Sequence, residues 1–314
     1  MKTFTSFDGV KIAYVDQGSG PAVVLLHGFA VDGLGQFGNF ERIEPLLAKR
    51  QKMFQEVFGA APPLPDPPLA GRGGLVDALA TCARVVVPDM RGFGNSDKPR
   101  NQSAYENAAM ARDVMALIRH LHLDSADIVG FSMGTGTAAG LLMLAPSEVK
   151  SAILAGVGDY VMQDTVLEFP KNWPVPDWVP RPLTHRIWAE EGARILEQGE
   201  VIPGHLASAS LLAARATNAD PKVLAAVIRG AVAPHWSEEG LRQIRVPVLV
   251  VNGRSDAANQ KVEKLLKAIP SARFAQCEGD HHSTPYQPTF HAAVLTFLKE
   301  QWHKRSGQRP TEER

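Results

Sequence analysis

A short strand-like segment, Ala126-Asp127-Ile128-Val129, leads directly into Gly130-Phe131-Ser132-Met133-Gly134, and the small and apolar stretch Thr135-Gly136-Thr137-Ala138-Ala139-Gly140-Leu141-Leu142-Met143-Leu144 follows. A serine between glycines at this spacing suits a very tight turn from strand to helix. The serine takes strained backbone angles and holds its hydroxyl out of the turn, and side chains at positions 130 and 134 would collide across it. A helix over 133–144 sets its free N–H groups beneath the hydroxyl. The five residues alone also fit a Gly-rich turn at a strand end. The buried-strand pattern before them and the small-residue helix after them favour a nucleophilic serine. Such a junction requires a sheet backed by helices.

The rest of the chain agrees. Residues 2–7 and 10–16 alternate around Asp8-Gly9 and read as a hairpin. Apolar runs at 21–26, 84–87 and 246–251 read as strands buried on both faces, with further strands at 150–154 and 272–276. Helical spacing is present over 103–123, 260–269 and 289–302, and the charged tail 303–314 reads as frayed. Strands and helices alternate, which predicts an α/β class: a mostly parallel central sheet with helices on both faces.

Two regions break this alternation. Residues 157–240 hold no clear strand. Pro170, Pro174, Pro176, Pro180 and Pro182 stand among Trp173, Trp178 and Trp188, ahead of helical segments near 184–198, 203–217 and 221–232. This reads as a helical cap inserted after a sheet strand, its tryptophans either pinning an irregular segment or lining a pocket. Residues 49–74 are rich in proline and glycine and read as an insertion in the core. The expected division is a core over 1–156 and 241–314, a cap over 157–240, and the 49–74 insertion.

With 33 basic and 33 acidic residues the chain has no formal net charge, so a nucleic-acid partner is not expected. No stretch approaches the apolar length of a membrane span, and the first residues lack the apolar region of a signal peptide. Cys82 and Cys277 both stand beside predicted strands and read as buried thiols, which fits a reducing cytoplasm.

A hydrolytic serine needs a base, an acid to orient it, and donors for the developing oxyanion. Strand 246–251 runs into Asn252-Gly253-Arg254-Ser255-Asp256, which puts Asp256 beyond a strand's carboxyl end, where α/β sheets bind ligands. Strand 272–276 runs into Glu278-Gly279-Asp280-His281-His282. The order serine, acid, histidine is the one this kind of elbow requires. Strand 21–26 ends in His27-Gly28-Phe29, so the backbone amides of Phe29 and Met133 are the candidate oxyanion donors. Asp159, after strand 150–154, is the alternative acid, and His282 the alternative base. The other histidines, among them His120, His122, His185 and His205, lack metal-ligand spacing, and neither a metal nor a cofactor is expected.

Taken together, these segments resemble the α/β-hydrolase superfamily, in particular its capped, serine esterase-like branch. The matching pieces are His27-Gly28-Phe29, the loop Asp89-Met90-Arg91-Gly92-Phe93-Gly94-Asn95-Ser96-Asp97-Lys98-Pro99, the 130–134 elbow, Gly253-Arg254-Ser255-Asp256, and Gly279-Asp280-His281 with Pro288 seven residues on. The resemblance implies Ser132 as nucleophile, Asp256 as acid, His281 as base, Phe29 and Met133 as oxyanion donors, a shaping role for His27, and a supporting role for the 89–99 loop. The spacing to Pro288 favours His281 over His282.

The activity implied is cleavage of a small-molecule carboxylic ester. A carbon–carbon bond hydrolase, a lactonase or an amidase with the same triad is the alternative, with Arg181, Arg186 and Arg194 as possible anchors for a charged substrate. A ligand-binding, weakly catalytic member is a further one. One departure from the family pattern stands before strand 84–87, where two segments, 40–48 and 75–84, each match the single helix expected there. If the later one is that helix, the insertion lies over the mouth of the site; if the earlier, at the opposite end of the sheet.

Overall fold

The computed structural model describes residues 1–38, 73–162, 185–201, 208–217, 219–232, 236–256 and 259–307, with short helical pieces at 44–45, 48–49, 51–53 and 55–56. A continuous apolar run has no polar face to offer water, so a strand built from it needs cover on both sides. Two such runs become β3 (Ala22–Leu26) and β4 (Arg84–Pro88), with Val23, Val24, Leu25, Val85 and Val86 all inaccessible to solvent. With β1 (Lys2–Thr5), β2 (Lys11–Gly18), β5 (Ala126–Phe131), β6 (Val149–Ala155), β7 (Val248–Gly253) and β8 (Ala272–Cys277) they form one eight-stranded sheet, ordered β1-β2-β4-β3-β5-β6-β7-β8. The hairpin β1–β2 is antiparallel, as is β2 on β4, and every other pairing is parallel.

Alternate side chains of the parallel strands enter two separate cores. Val24, Leu26, Ile128, Leu154 and Val250 meet residues of α3 (Asn107–His120) and α4 (Met133–Leu144) on one face. Val23, Leu25, Val129, Ile153 and Leu249 meet α1 (Gly33–Phe37), α2 (Leu75–Ala80) and α10 (Pro288–Ser306) on the other. Parallel pairing brings the carboxyl ends of β3, β5, β6, β7 and β8 to one edge. The chain runs from β3 to β4 on one side and reaches β5 on the other, so a crevice opens beyond the ends of β3 and β5.

Between β6 and β7 the described residues are mainly helical: α5 (His185–Gln198), α6 (Ser208–Thr217), α7 (Pro221–Val227) running into a π-helical turn (Ile228–Val232), and α8 (Glu238–Arg242). A parallel bridge joins Met162 to Trp236, and the Trp236 N–H donates to Val161 O at 2.9 Å. This pairing ties together the two chain segments that leave and re-enter the sheet, and nothing in the apolar periodicity announced it. Trp173, Trp178 and the prolines at 170–182 lie outside the described residues, as does the Trp188 side chain.

Of the two segments offered before β4, the later one packs on the sheet. Leu75, Val76 and Leu79 of α2 are buried in the second core. Backbone contact brings the chain at Gly74 against Gly38, where a Cβ on Gly74 would strike the Gly38 carbonyl. The chain therefore departs and returns at one place. Residues 57–72 of the insertion, and most of the 40–48 pattern, lie outside the described residues. Lys49 Nζ donates to Arg215 O of α6 at 3.2 Å, which brings this segment against the helices between β6 and β7.

Two helix ends differ from expectation. Helix α9 spans Glu263–Ala268, starting later than position 260 because the Gln260 side chain is engaged with the backbone of the preceding loop. Helix α10 continues to Ser306. Asp127, fully buried at the start of β5, accepts from Trp302 Nε1 at 2.8 Å and from an Arg305 guanidinium nitrogen at 2.7 Å, so residues 303–306 are anchored and not frayed. Among the described residues no helix is long and apolar enough to cross a membrane.

Candidate active site

Ser132 stands between β5 and α4 at φ 53° and ψ −116°, a conformation L-residues rarely adopt and one that surrounding structure must enforce. The enforcement is local. The Ser132 N–H donates to Ala155 O at 2.8 Å, and Thr135 Oγ1 lies 3.0 Å from Gly130 O and 2.9 Å from Ala155 O. The two glycines serve different contacts. A Cβ on Gly130 would stand 2.6 Å from Gly134 O, across the turn as expected. A Cβ on Gly134 would instead strike the Leu26 carbonyl, so this glycine lets α4 rest directly on β3.

His281 reaches Ser132 from the loop after β8, with its Nε2 2.9 Å from Ser132 Oγ. Its Nδ1 lies 2.9 Å from Oδ2 of Asp256, a carboxylate almost completely buried after β7. The network is consistent with a proton on Nδ1 donated to Asp256 and Nε2 free to accept from the serine. Asp280 shapes the loop beneath: its Oδ1 accepts from the His282 and Ser283 amides at 2.9 and 2.8 Å. The ring that meets Ser132 is that of His281; His282 packs edge-on against it with centroids 5.6 Å apart. Gly156, at φ 64°, comes so close that a Cβ there would stand 3.1 Å from His281 Cε1.

Asp159 has other work. Its carboxylate accepts from the Leu265 amide at 2.9 Å and the Lys264 amide at 3.2 Å, so it caps the start of α9. Burial, reinforced by the Asp256 charge, raises the pKa of the neighbouring Tyr160 phenol.

The loop after β3 is held from several sides. His27 is fully buried; its Nδ1–H donates to Gly28 O at 2.8 Å and its Nε2 accepts from the Met90 amide at 2.9 Å. Burial pushes its pKa below the usual imidazole range, so the ring is a neutral bracket. Gln36 Oε1 accepts from the Gly28 amide at 3.2 Å. Phe93 packs edge-on against both His27 and Phe29, with centroids 5.2 and 6.0 Å away. Asp89 accepts from the Gly33 amide at 3.1 Å and the Asn95 amide at 2.8 Å, so the 89–99 segment braces the loop. Phe29 lies on this braced loop. Met133 is the first residue of α4, and its N–H has no carbonyl one turn back to bond.

Side-chain amides around Asp256 were not anticipated from the sequence. Asn259 Nδ2 donates to Asp256 Oδ2 at 2.7 Å, Gln260 Nε2 to Asp256 O at 2.8 Å, and Asn252 Nδ2 to Asn259 O at 2.7 Å. Gln36 and Gly156 were missed as well. An amide residue in a loop carries no periodicity, and only a positive φ marks Gly156. Cys277 is buried behind the acid, with its thiol pushed up to about 12, chiefly by burial; Cys82 is also a free thiol. Among the described residues no three His, Cys, Asp or Glu side chains group to hold a metal ion.

A family model described as the alpha/beta hydrolase fold matches residues 69–181. A thermophilic esterase from Thermogutta terrifontis superposes with a TM-score of 0.64 at 20% identity, covering 96% of this chain and 98% of that one. The chain has the α/β-hydrolase fold. Among curated relatives of this chain, a putative 2-succinyl-6-hydroxy-2,4-cyclohexadiene-1-carboxylate synthase of Bacillus subtilis is 23% identical over 86% of the chain and 87% of its own length. A 2-hydroxy-6-oxo-6-(2'-aminophenyl)hexa-2,4-dienoic acid hydrolase of Metapseudomonas resinovorans is 25% identical over 82% and 75%. These relatives support a hydrolase activity, and their names span different substrates at low identity. The choice of reaction therefore has to come from the site.

Proposed function

We propose that this protein is a serine hydrolase that cleaves carboxylic esters through an acyl-enzyme. The observation that carries the proposal is the continuous chain from Ser132 Oγ through His281 to Asp256, with both contacts at 2.9 Å, on a strained elbow. Ser132 attacks the acyl carbonyl as His281 Nε2 takes its proton. Asp256 keeps the imidazole in the accepting tautomer and stabilises the charged ring. The amides of Phe29 and Met133 receive the oxyanion; losing one such donor costs on the order of a hundredfold in rate or more. His281 returns its proton to the leaving alcohol and then activates water against the acyl-enzyme. Every step uses side chains, backbone amides and water, so the cycle calls for no cofactor.

The division into a core (1–156 and 241–314), a cap (157–240) and the 49–74 insertion belongs to the same proposal. The Met162–Trp236 bridge is the neck of the cap, and the Lys49–Arg215 contact supports placing the insertion on the cap side. A cytoplasmic setting fits two free thiols.

The second reading is a carbon–carbon bond hydrolase with the same triad, favoured by the dienoic acid hydrolase among the relatives. It needs a cation for the substrate's carboxylate. Arg194 is engaged with Glu191 at 2.7 Å, Arg186 is exposed, and Arg181 lies outside the described residues, so esters come first. Turnover of short-chain chromogenic esters, compared with lactone, amide and vinylogous diketone substrates, tests the ranking. Ser132→Ala is expected to abolish turnover and fluorophosphonate labelling. Folded wild-type protein that neither turns over an ester nor takes the label would be a binding protein instead.

A further inference from the structure

A buried polar atom without a partner calls for a reason, because folding strips it of water and returns nothing. Asn259 is 1% exposed, and its Oδ1 has no hydrogen-bond partner among the described residues. Its Nδ2, by contrast, donates to Asp256 Oδ2 at 2.7 Å and lies 3.1 Å from His281 Nδ1. That carboxylate oxygen is the one that also receives His281 Nδ1–H.

The side chain is not needed to shape its own loop. The Asn259 carbonyl accepts from Asn252 Nδ2 at 2.7 Å, and its N–H donates to Asp256 O at 3.0 Å. Nor is the amide's orientation open. A half-turn would set Oδ1 against the carboxylate oxygen, two acceptors in contact. The side chain thus leaves its acceptor empty in order to present its donor.

We propose that Asn259 is a positioning residue: its amide pins Asp256 Oδ2 in place opposite the imidazole Nδ1. This rests on the triad reading above. The orphaned Oδ1 is then the cost of a donor that an apolar side chain could not supply.

Asn259→Leu, close in volume, removes the donor and the orphaned acceptor together. These changes oppose one another in stability, and Tm is expected to stay within about 3 °C of wild type. The carboxylate loses its pin, and a displacement of about 1 Å costs on the order of a hundredfold. The expected result is a kcat lowered by about 10- to 100-fold at unchanged KM, with the rate of fluorophosphonate labelling falling in parallel. In an Asp256→Asn background the same substitution should change the labelling rate less than twofold, because Asn259 acts through that carboxylate.

Wild-type kcat and labelling rate in folded Asn259→Leu would overturn the proposal, as would a full additional loss in the Asp256→Asn background. If the leucine variant does not fold, Asn259→Ala is read by the same two rates with the same outcomes. Labelling does not depend on the substrate class, so failure of the ester reading leaves it interpretable. Failure of the triad reading is seen separately, as wild-type labelling that survives Ser132→Ala.

Discussion

Two buried aspartates follow neighbouring strands, and exchanging each for asparagine separates their roles. Asp256 accepts from His281 Nδ1 at 2.9 Å. As the serine proton moves to Nε2, the ring gains a positive charge roughly 4 Å from the centre of the carboxylate charge. At an effective dielectric constant of about 20 this attraction is about 4 kcal/mol, or about a thousandfold in rate. An amide pointing its N–H at Nδ1 would add to the loss by favouring the wrong tautomer, which in a serine triad brings the cost to about ten thousandfold. Asp159 bonds two amides at the start of α9, at 2.9 and 3.2 Å. Asparagine there keeps one oxygen and loses a charge beside a helix terminus, a cost of about 1 kcal/mol in stability and none in chemistry. The assay is kcat on a short-chain chromogenic ester beside a thermal melt of each variant. Asp256→Asn should lose about a thousandfold or more in kcat and melt near wild type; Asp159→Asn should melt lower and keep its kcat. A greater loss of kcat in Asp159→Asn than in Asp256→Asn would refute the assignment of the acid and the electrostatic reasoning behind it.

Three further outcomes are expected. Gly156→Ala forces a left-handed backbone on a residue with a Cβ, costing about 1 kcal/mol or more, and sets that Cβ 3.0 Å from Phe131 and 3.1 Å from His281. Its kcat should fall on the order of tenfold as the imidazole is displaced, and a lowered Tm with unchanged kcat would break the link to His281. The Arg84 hydrogen bond, aided by Lys2, holds the Asp16 carboxyl at about 2. A depressed folded value means stability present above the unfolded value of about 4 and lost as pH falls through about 2; after allowance for the exposed Lys2, Asp16→Asn should cost about 1 kcal/mol in urea unfolding at neutral pH, with the difference vanishing in acid. Arg305→Ala removes a cation from the buried Asp127 carboxylate and should destabilise by about 1–3 kcal/mol, whereas a truly frayed tail would give no change.

The fold was legible because its strongest signals are local and repeated. Continuous apolar runs marked β3, β4 and β7, and helical spacing marked α3 and α10, since burial on both faces of a parallel strand leaves no room for polar alternation. What stayed hidden depends on contacts between distant residues. The end of α10 is set by Asp127, 178 positions from Arg305, and the insertion's place by Gly38 meeting Gly74. Two helical patterns before β4 were equivalent in sequence, and only packing of Leu75, Val76 and Leu79 in the second core distinguishes them.

The same division holds within the candidate site. Ser132, Asp256 and His281 each stand just past a strand, so the strands and the elbow were enough to single them out as candidates, and the structure brings the three side chains together. The residues that keep them in place have no such address. Gln36 holds Gly28 from the helix after the loop, Asp89 and Met90 hold Gly33 and His27 from the loop after β4, and Asn259 holds Asp256 from a stretch without periodicity. Reacting groups need a defined residue type at a strand end, whereas a bracing group needs only a donor or acceptor within reach. Many sequences satisfy the second requirement, so these residues leave little trace in the chain and become visible only as distances. Substitutions at such positions should therefore change rate without changing fold, and Asn259 is the one where the orphaned Oδ1 makes that separation most direct.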